Sequence, residues 1–379
     1  MWRRGERLYA LLVFLVVALE AVALGGLVLV FSGRLWNLWG YPLAQRVLLE
    51  ALLLTGVALA LLSAYILLYH GYTQARESQE RQAYEDWLSR FTQALFGEAA
   101  LPPPPWPRPA LEALLSLREM LSGEFAERLA DWIRQARPPW GRVLRGRLAS
   151  RPARLEALEA LAQARLPETL GLILPYLEHP DPVLRLAAAR AGARVAQGEG
   201  VLRLAEALLR AALPRGALLE VLLLLEHRAP PVVEALLRQG TEEERWAALE
   251  AIGRLKLEAL APQVLPFLEA RDPELLAAAL RALLRLGYPP KGYEETLLAA
   301  LKDEREFLRV HAARLLALLQ NDLARQALWK ALGDPSFYVR RAAAEGLRLL
   351  DPELLQRAAQ RHPDPYGRAM AEQVLKEAA

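Results

Sequence analysis

The sequence predicts an all-α protein: a two-helix transmembrane hairpin followed by an α-solenoid. Three observations carry this reading. Two long apolar runs lie in the first 70 residues. A marker dipeptide recurs about every 31 residues from residue 150 onward. Between the markers, apolar residues keep helical spacing.

The first apolar run covers residues 8–31 and is broken by a single charge, Glu20. At about 1.5 Å per residue it spans roughly 36 Å, enough to cross a bilayer core with some tilt. It is longer than the apolar region of a signal peptide, and no clear polar cleavage region follows it. The second run covers residues 47–69, again with one charge, Glu50. Residues 1–70 are therefore read as a transmembrane hairpin. Trp36, Trp39 and Tyr41 crowd the connection, as aromatic residues do at a membrane–water interface. Arg3, Arg4 and Arg7 precede the first run, and Arg76, Arg81 and Arg90 follow the second. Only Arg34 and Arg46 lie between them, a bias that places both termini in the cytoplasm, with the hairpin in the inner (cytoplasmic) membrane.

Two carboxylates and three glycines in these runs bear on partners. Glu50 lies four residues after Arg46, as in an interfacial ion pair. Glu20 sits mid-run, where a charge is expensive, so it is protonated, faces another helix or meets a partner's cation. Gly25, Gly26 and Gly56 leave room for close helix contact. Glu20, Gly25, Gly26, Glu50, Trp36 and Trp39 are thus the candidates for contact with a partner membrane subunit or the lipid bilayer. A neutral Glu20 bonded within the hairpin is the competing account.

Residues 71–96 are polar but carry Tyr84, Trp87, Leu88, Phe91 and Leu95 at helical spacing, predicting an amphipathic connecting helix. Residues 97–110 hold six prolines between 101 and 109 and are expected to be a stiff linker. A short helical segment is expected over 111–149. It ends in a basic, Pro-interrupted stretch containing Arg137, Arg142, Arg145 and Arg147. A solvated loop explains that stretch, and contact with phosphate headgroups is the alternative.

The solenoid is assigned to residues 150–379. Its markers begin at residues 151, 181, 213, 241, 272, 303, 334 and 364, giving steps of 30, 32, 28, 31, 31, 31 and 30 and about eight repeats. Asp181, Asp272, Asp303, Asp334 and Asp364 are read as helix N-caps, whose carboxylates accept from first-turn amides. Pro at the next position has no amide to lose. Arg185, Arg309, Arg340 and Arg368 follow an Asp at +4 or +6 and are expected to reach a neighbouring repeat's Asp as a ladder. The third unit, from Pro214, is read as having lost both Asp and Arg.

The pattern Asp-Pro-x-x-Arg followed by Ala-Ala, as in HPDPVLRLAAARAGAR (179–194) and GDPSFYVRRAAAEGLRLL (333–350), resembles HEAT repeats. The short period is similar to that of the PBS-lyase-type HEAT-like subgroup. The resemblance covers about three-fifths of the chain. It implies a curved α-solenoid with a concave binding face. Members of that family mostly act as protein-binding scaffolds; some assist bilin attachment, and one branch excises damaged bases from DNA. No catalytic residue carries over to this chain.

Composition narrows the chemistry. The chain has no Cys, which excludes disulfides, Cys-ligated zinc, iron–sulfur clusters and a cysteine nucleophile. Its 47 basic and 44 acidic residues give a net +3. Residues 1–150 hold 16 against 13, and residues 151–379 balance at 31 against 31. That balance argues against a nucleic-acid groove. His179 and His362 both occur as His-Pro-Asp-Pro in equivalent turns, and His311 lies on a repeat helix. No two His have metal-ligand spacing, and no nucleophile elbow, P-loop or dinucleotide fingerprint is present. The expected function is a membrane-anchored scaffold that binds a partner protein and assembles or regulates a membrane complex, with no cofactor. The competing functions are a HEAT-like enzyme and an accessory subunit of an ion pathway or a membrane glycosyltransferase.

Overall fold

The computed structural model describes residues 25–26 and 42–377, with side chains from residue 50 onward except at 52. The described residues form two compact units, 1–136 and 137–379. The first run, with Glu20, Trp36 and Trp39, lies outside the described residues except for Gly25 and Gly26.

In the first unit, α1 is one uninterrupted helix, Pro42–Leu95. It joins the second apolar run to the amphipathic stretch without a break. No proline follows Pro42 within it, and its interior Gly56 and Gly71 are tolerated, so nothing ends the helix. Its first half leaves Leu54, Leu61, Tyr65, Leu68 and Tyr72 exposed. Its last turns bury Phe91 and Leu95 under α2 (Arg108–Met120) and α3 (Gly123–Ala136). Surface ion pairs Arg76–Glu80 and Arg81–Glu85 lie between those halves.

The Pro-rich segment is not an extended spacer. Trp106 is only 7% exposed and meets the Phe91 ring edge-on at 5.1 Å. Its Nε1 donates to the Pro102 carbonyl at 3.0 Å. One aromatic anchor thus turns the chain so that α2 packs back along α1. Burial of an indole outweighs the intrinsic stiffness of the prolines. The expected 111–149 segment also divides. Its first two helices, α2 and α3, belong with α1, and its last part opens the second unit.

The second unit is a stack of eight helix pairs. Its long-helix layer contains α5 (Arg151–Ala164), α7 (Pro182–Val195), α9 (Arg215–Leu225), α11 (Glu242–Leu255), α13 (Pro273–Leu286), α15 (Glu306–Leu316), α17 (Phe337–Leu350) and α19 (Pro365–Lys376). Each is preceded by a helix of the other layer: α4 (Trp140–Arg145), α6 (Leu170–Ile173), α8 (Glu199–Leu208), α10 (Pro230–Gln239), α12 (Ala261–Val264), α14 (Glu294–Ala300), α16 (Asp322–Ala331) and α18 (Pro352–Arg361). Helices α6 and α12 are short because Pro175 and Pro266 follow and the chain tightens into 3₁₀ turns. The stack begins at Trp140, 11 residues before the first marker.

Alanine sets the spacing of the layers. Ala188, Ala189, Ala247, Ala248, Ala278, Ala279, Ala312 and Ala313 are fully buried. At Gly253 the approach is closer still: an added Cβ would lie 3.0 Å from the Ala282 Cα. One apolar core runs through the stack from Leu144 to Val374. No helix can bury its face alone, so each repeat depends on its neighbours.

Candidate interaction surface

Seven of the eight long helices carry an Arg near their start. Stepping back from Arg185 and forward along the stack gives Arg154, Arg185, Arg215, Arg245, Leu276, Arg309, Arg340 and Arg368. Seven of eight places are Arg, so the third unit keeps its Arg as Arg215. Arg154, Arg215 and Arg245 follow no marker Asp and are visible only through the 30-residue step.

Arg154, Arg340 and Arg368 bond preceding carbonyls and no neighbour's carboxylate, Arg309 does both, and Arg215 lies 3.6 Å from Glu243 of the next repeat. Arg309 Nη1 donates to the Asp303 and Glu304 carbonyls, both at 2.9 Å. Arg340 Nη1 reaches the Asp334 and Pro335 carbonyls at 2.7 and 2.9 Å. Arg368 Nη1 reaches those of His362 and Pro363 at 2.6 and 3.3 Å. Each Arg therefore satisfies two carbonyls of the turn that precedes it, which would otherwise be orphaned. The expected ladder has a rung at Arg309, which is bidentate to Asp334 at 2.9 and 3.1 Å. A second rung comes from an unforeseen residue, Arg151, whose Nε lies 2.6 Å from Asp181. Arg340 instead lies over the Tyr366 ring at 5.4 Å. Arg185 forms no rung, and its Nε is buried without a hydrogen-bond partner.

The Asp residues divide in the same way. Asp181, Asp272 and Asp364 are N-caps, accepting from Val183, Glu274 and Gly367 at 2.9, 3.0 and 2.9 Å. Asp303 and Asp334 lie two residues too early. They accept from the Arg305 and Ser336 amides, and Ser336 caps α17. The later helix start explains why Arg follows Asp at +6 in these units and at +4 in the others.

The two His-Pro-Asp-Pro turns are explained by geometry. His179 Nδ1 accepts from the Asp181 amide at 3.0 Å, and its ring stacks on Tyr176. His362 Nδ1 accepts from the Asp364 amide at 3.2 Å. Its Nε2 contacts the Trp329 carbonyl at 3.0 Å, which requires the Nε2–H tautomer.

A second column lies five residues beyond the first: Glu159, Arg190, Glu220, Glu250, Arg281, Arg314, Glu345 and Gln373. The repeat register supplies the signal for it, which the Asp markers do not. Arg190 pairs with Glu220 across one repeat at 2.8 Å. Glu250 is 2% exposed and is held by Arg281 at 2.5 Å and Arg285 at 2.7 Å, with Arg254 at 3.6 Å. Burial alone would raise its carboxyl; the hydrogen bonds from Arg285 and Arg281 overcome this and hold it below the usual range. His311 faces this cluster. Burial, then Arg281 and Arg314, pushes its imidazole down to about 4, and its Nδ1 has no hydrogen-bond partner. The column therefore presents fixed charges of both signs on one face of the long-helix layer. Such a surface can orient a partner, because like charges set against it are costly.

The other described candidate residues belong to the first unit. Glu50 is exposed on α1. Gly25 and Gly26 are helical, and a methyl added to either meets nothing within 4 Å. Among the described residues, no three His, Asp or Glu converge as a metal site.

The family described as HEAT repeats matches residues 294–376, the last three helix pairs. Among the described residues every regular element is helical, and those of the second unit stack as a solenoid. No curated protein matches the sequence. Several solved structures are similar. An engineered protein shares 17% identity at a TM-score of 0.39, covering 79% of this chain and 95% of its own. Kap121p shares 13% at 0.44, and the match covers 83% of this chain and 38% of Kap121p. A designed armadillo repeat protein in complex with the peptide (KR)4 shares 16% at 0.31, covering 64% and 99%.

Proposed function

We propose that this chain is a membrane-anchored HEAT-repeat scaffold whose solenoid binds a partner protein and assembles or regulates a membrane complex. The observation that carries the reading is α1. Among the described residues, its Leu53–Leu95 portion is long and apolar enough to cross a membrane, and its apolar part is almost wholly uncovered. Uncovered leucines on that scale need an apolar solvent or partner. Solenoid repeats supply the complementary half: an extended face whose charges vary from rung to rung, suited to protein recognition. The short period favours the PBS-lyase-type HEAT-like subgroup. In this reading both termini are cytoplasmic, and Glu20, Gly25, Gly26, Trp36 and Trp39 belong to the hairpin face that meets a membrane subunit.

The test uses the tagged full-length chain. Carbonate washing of membranes should leave it in the pellet; release into the supernatant refutes the anchor. Purification in mild detergent with mass spectrometry should then recover a partner from the wild type. The double variant Arg190→Glu/Arg314→Glu, at exposed places of the column, should lose it. Equal recovery refutes the column as the binding surface, and undiminished recovery with Glu20→Ala refutes a role for that carboxylate.

A further inference from the structure

Residues 132–155 contain seven Arg and no Asp or Glu. No other stretch of this chain is so one-sided, and it lies within a region otherwise balanced in charge. Arg134, Arg151 and Arg154 have partners: Asp131, Asp181 and the Gly146 carbonyl. Arg137, Arg142, Arg145 and Arg147 are exposed and form no ion pair with a described residue. Beside them Leu148 is 101% exposed, the most uncovered large apolar residue described. Leu144, one turn back, is buried and its carbonyl accepts from Tyr176 at 2.6 Å. The segment, α4 with its flanking turns, is thus pinned to the first repeats while its charges and its leucine face outward.

We infer that the Arg137–Leu148 segment of the solenoid's first repeat, α4 with its flanking turns, is a docking site for an anionic lipid surface. Four unpaired guanidiniums and a projecting leucine are the combination that a headgroup layer over acyl chains accommodates. Arg forks bond phosphate bidentately, and an apolar side chain can enter the interface. A nucleic acid is the less fitting polyanion. The unpaired cations are confined to about ten residues, followed closely by the carboxylates Glu156 and Glu159. A strand tracking along the layer would meet these carboxylates. The inference deepens the membrane reading above, since it gives the solenoid a second contact with the bilayer that carries α1.

The absence of native Cys permits a clean test. Leu148→Cys is labelled with an environment-sensitive dye in the full-length chain. The protein is reconstituted in phosphatidylcholine vesicles with or without about 30% phosphatidylglycerol. A second label at Leu349→Cys, exposed elsewhere on the solenoid, serves as reference. Each Arg near an anionic surface changes partition roughly five-fold, equivalent to about 1 kcal/mol. Reversing three charges in Arg142→Glu/Arg145→Glu/Arg147→Glu should therefore weaken docking by at least about 100-fold. The expected result is a blue-shifted, several-fold brighter signal at position 148 only, and only with anionic lipid. It should disappear at high salt and in the triple variant. An equal response on neutral vesicles, no response at all, or a response that survives charge reversal overturns the inference. So does tight binding of a single-stranded oligonucleotide through the same three Arg without a vesicle response. The outcomes separate from those of the anchor reading. A carbonate-resistant chain with a silent dye refutes the docking segment alone. A chain released by carbonate refutes the anchor alone if the dye still responds to added anionic vesicles.

Discussion

Glu250→Gln is the most informative perturbation of the solenoid. The wild-type carboxylate is 2% exposed and accepts from Arg281 and Arg285, which are 22% and 36% exposed. Hydrogen bonds to charged groups contribute about 1.5–3 kcal/mol each. Breaking a fully buried pair costs about 3–5 kcal/mol. Both guanidiniums can recover some water here, so the expected loss is smaller, about 2–3 kcal/mol. In a domain of this size each kcal/mol lowers Tm by about 2–4 °C, so the melt should fall by about 4–12 °C. Circular dichroism at 222 nm measures that shift. Hydrogen exchange should localise it, because repeat stability is a sum of nearest-neighbour terms. Protection should drop in α11 and α13 and hold in α5 and α19. The pH dependence has a definite sign. The folded carboxyl lies below its ordinary value of 4.5, so its contribution is present above that value and fades as pH falls through the folded one. The variant should lack that component. A Tm within 1 °C of wild type, or loss spread evenly over all eight pairs, would refute the assignment of Glu250 as an inter-repeat clamp.

Four further outcomes follow from the same geometry. His311 has a folded value of about 4 against 6.5, so its contribution is complete above pH 6.5 and declines towards pH 4. The decline should be about 2 kcal/mol after allowance for partial exposure, and urea melts of His311→Phe should show a flatter pH profile over that range. Gly367→Ala places a methyl 2.5 Å from His362 Nδ1 and 2.8 Å from the Leu332 carbonyl, so chemical denaturation should register a loss of about 1–3 kcal/mol. Gly171→Ala meets nothing within 4 Å in a helix and should gain about 0.5–1 kcal/mol in the same assay. Trp106→Ala removes the anchor of the Pro-rich turn; limited proteolysis should cut residues 101–109 faster, and a Tm unchanged from wild type would show that the turn holds without it.

The solenoid was legible because side-chain caps mark six of the eight long-helix starts, and all eight begin within a few residues of the markers. The Pro-rich segment was misread because composition reports local stiffness and not the distant ring that Trp106 meets on α1. The start of the stack at Trp140 was missed for a related reason: α4 carries no marker and is identified only by its packing. Glu250 was invisible to a search for motifs, since a lone Glu in an Ala-rich helix looks solvated. What makes it a clamp is Arg281 on the next repeat, 31 residues away. That juxtaposition becomes visible once the column is read by register.

The Arg column explains why the repeat tolerates such variable markers. A rung that depended on a neighbour's Asp would fail wherever Asp is lost, as at Pro214 and Thr241. The observed bonds are mostly internal: Arg309, Arg340 and Arg368 each satisfy carbonyls five and six residues behind them. The turn is therefore closed within one repeat, and the capping residue is free to change. Thr241 shows this directly, because it keeps the helix start through a capping box with Glu244 while Asp is absent. Inter-repeat charge pairs are then released from the structural requirement and can vary from rung to rung, as Arg190–Glu220, Glu250–Arg281 and Arg309–Asp334 do. Arg309→Lys separates the two roles. Lysine can donate to one carbonyl but cannot span both and hold Asp334 bidentately. Hydrogen exchange should therefore show faster opening at the 303–305 turn, with the α15–α17 contact also weakened. Arg340→Lys should open only its own turn, at 334–336. Equal effects of the two variants on the neighbouring helix would show that the column acts between repeats after all.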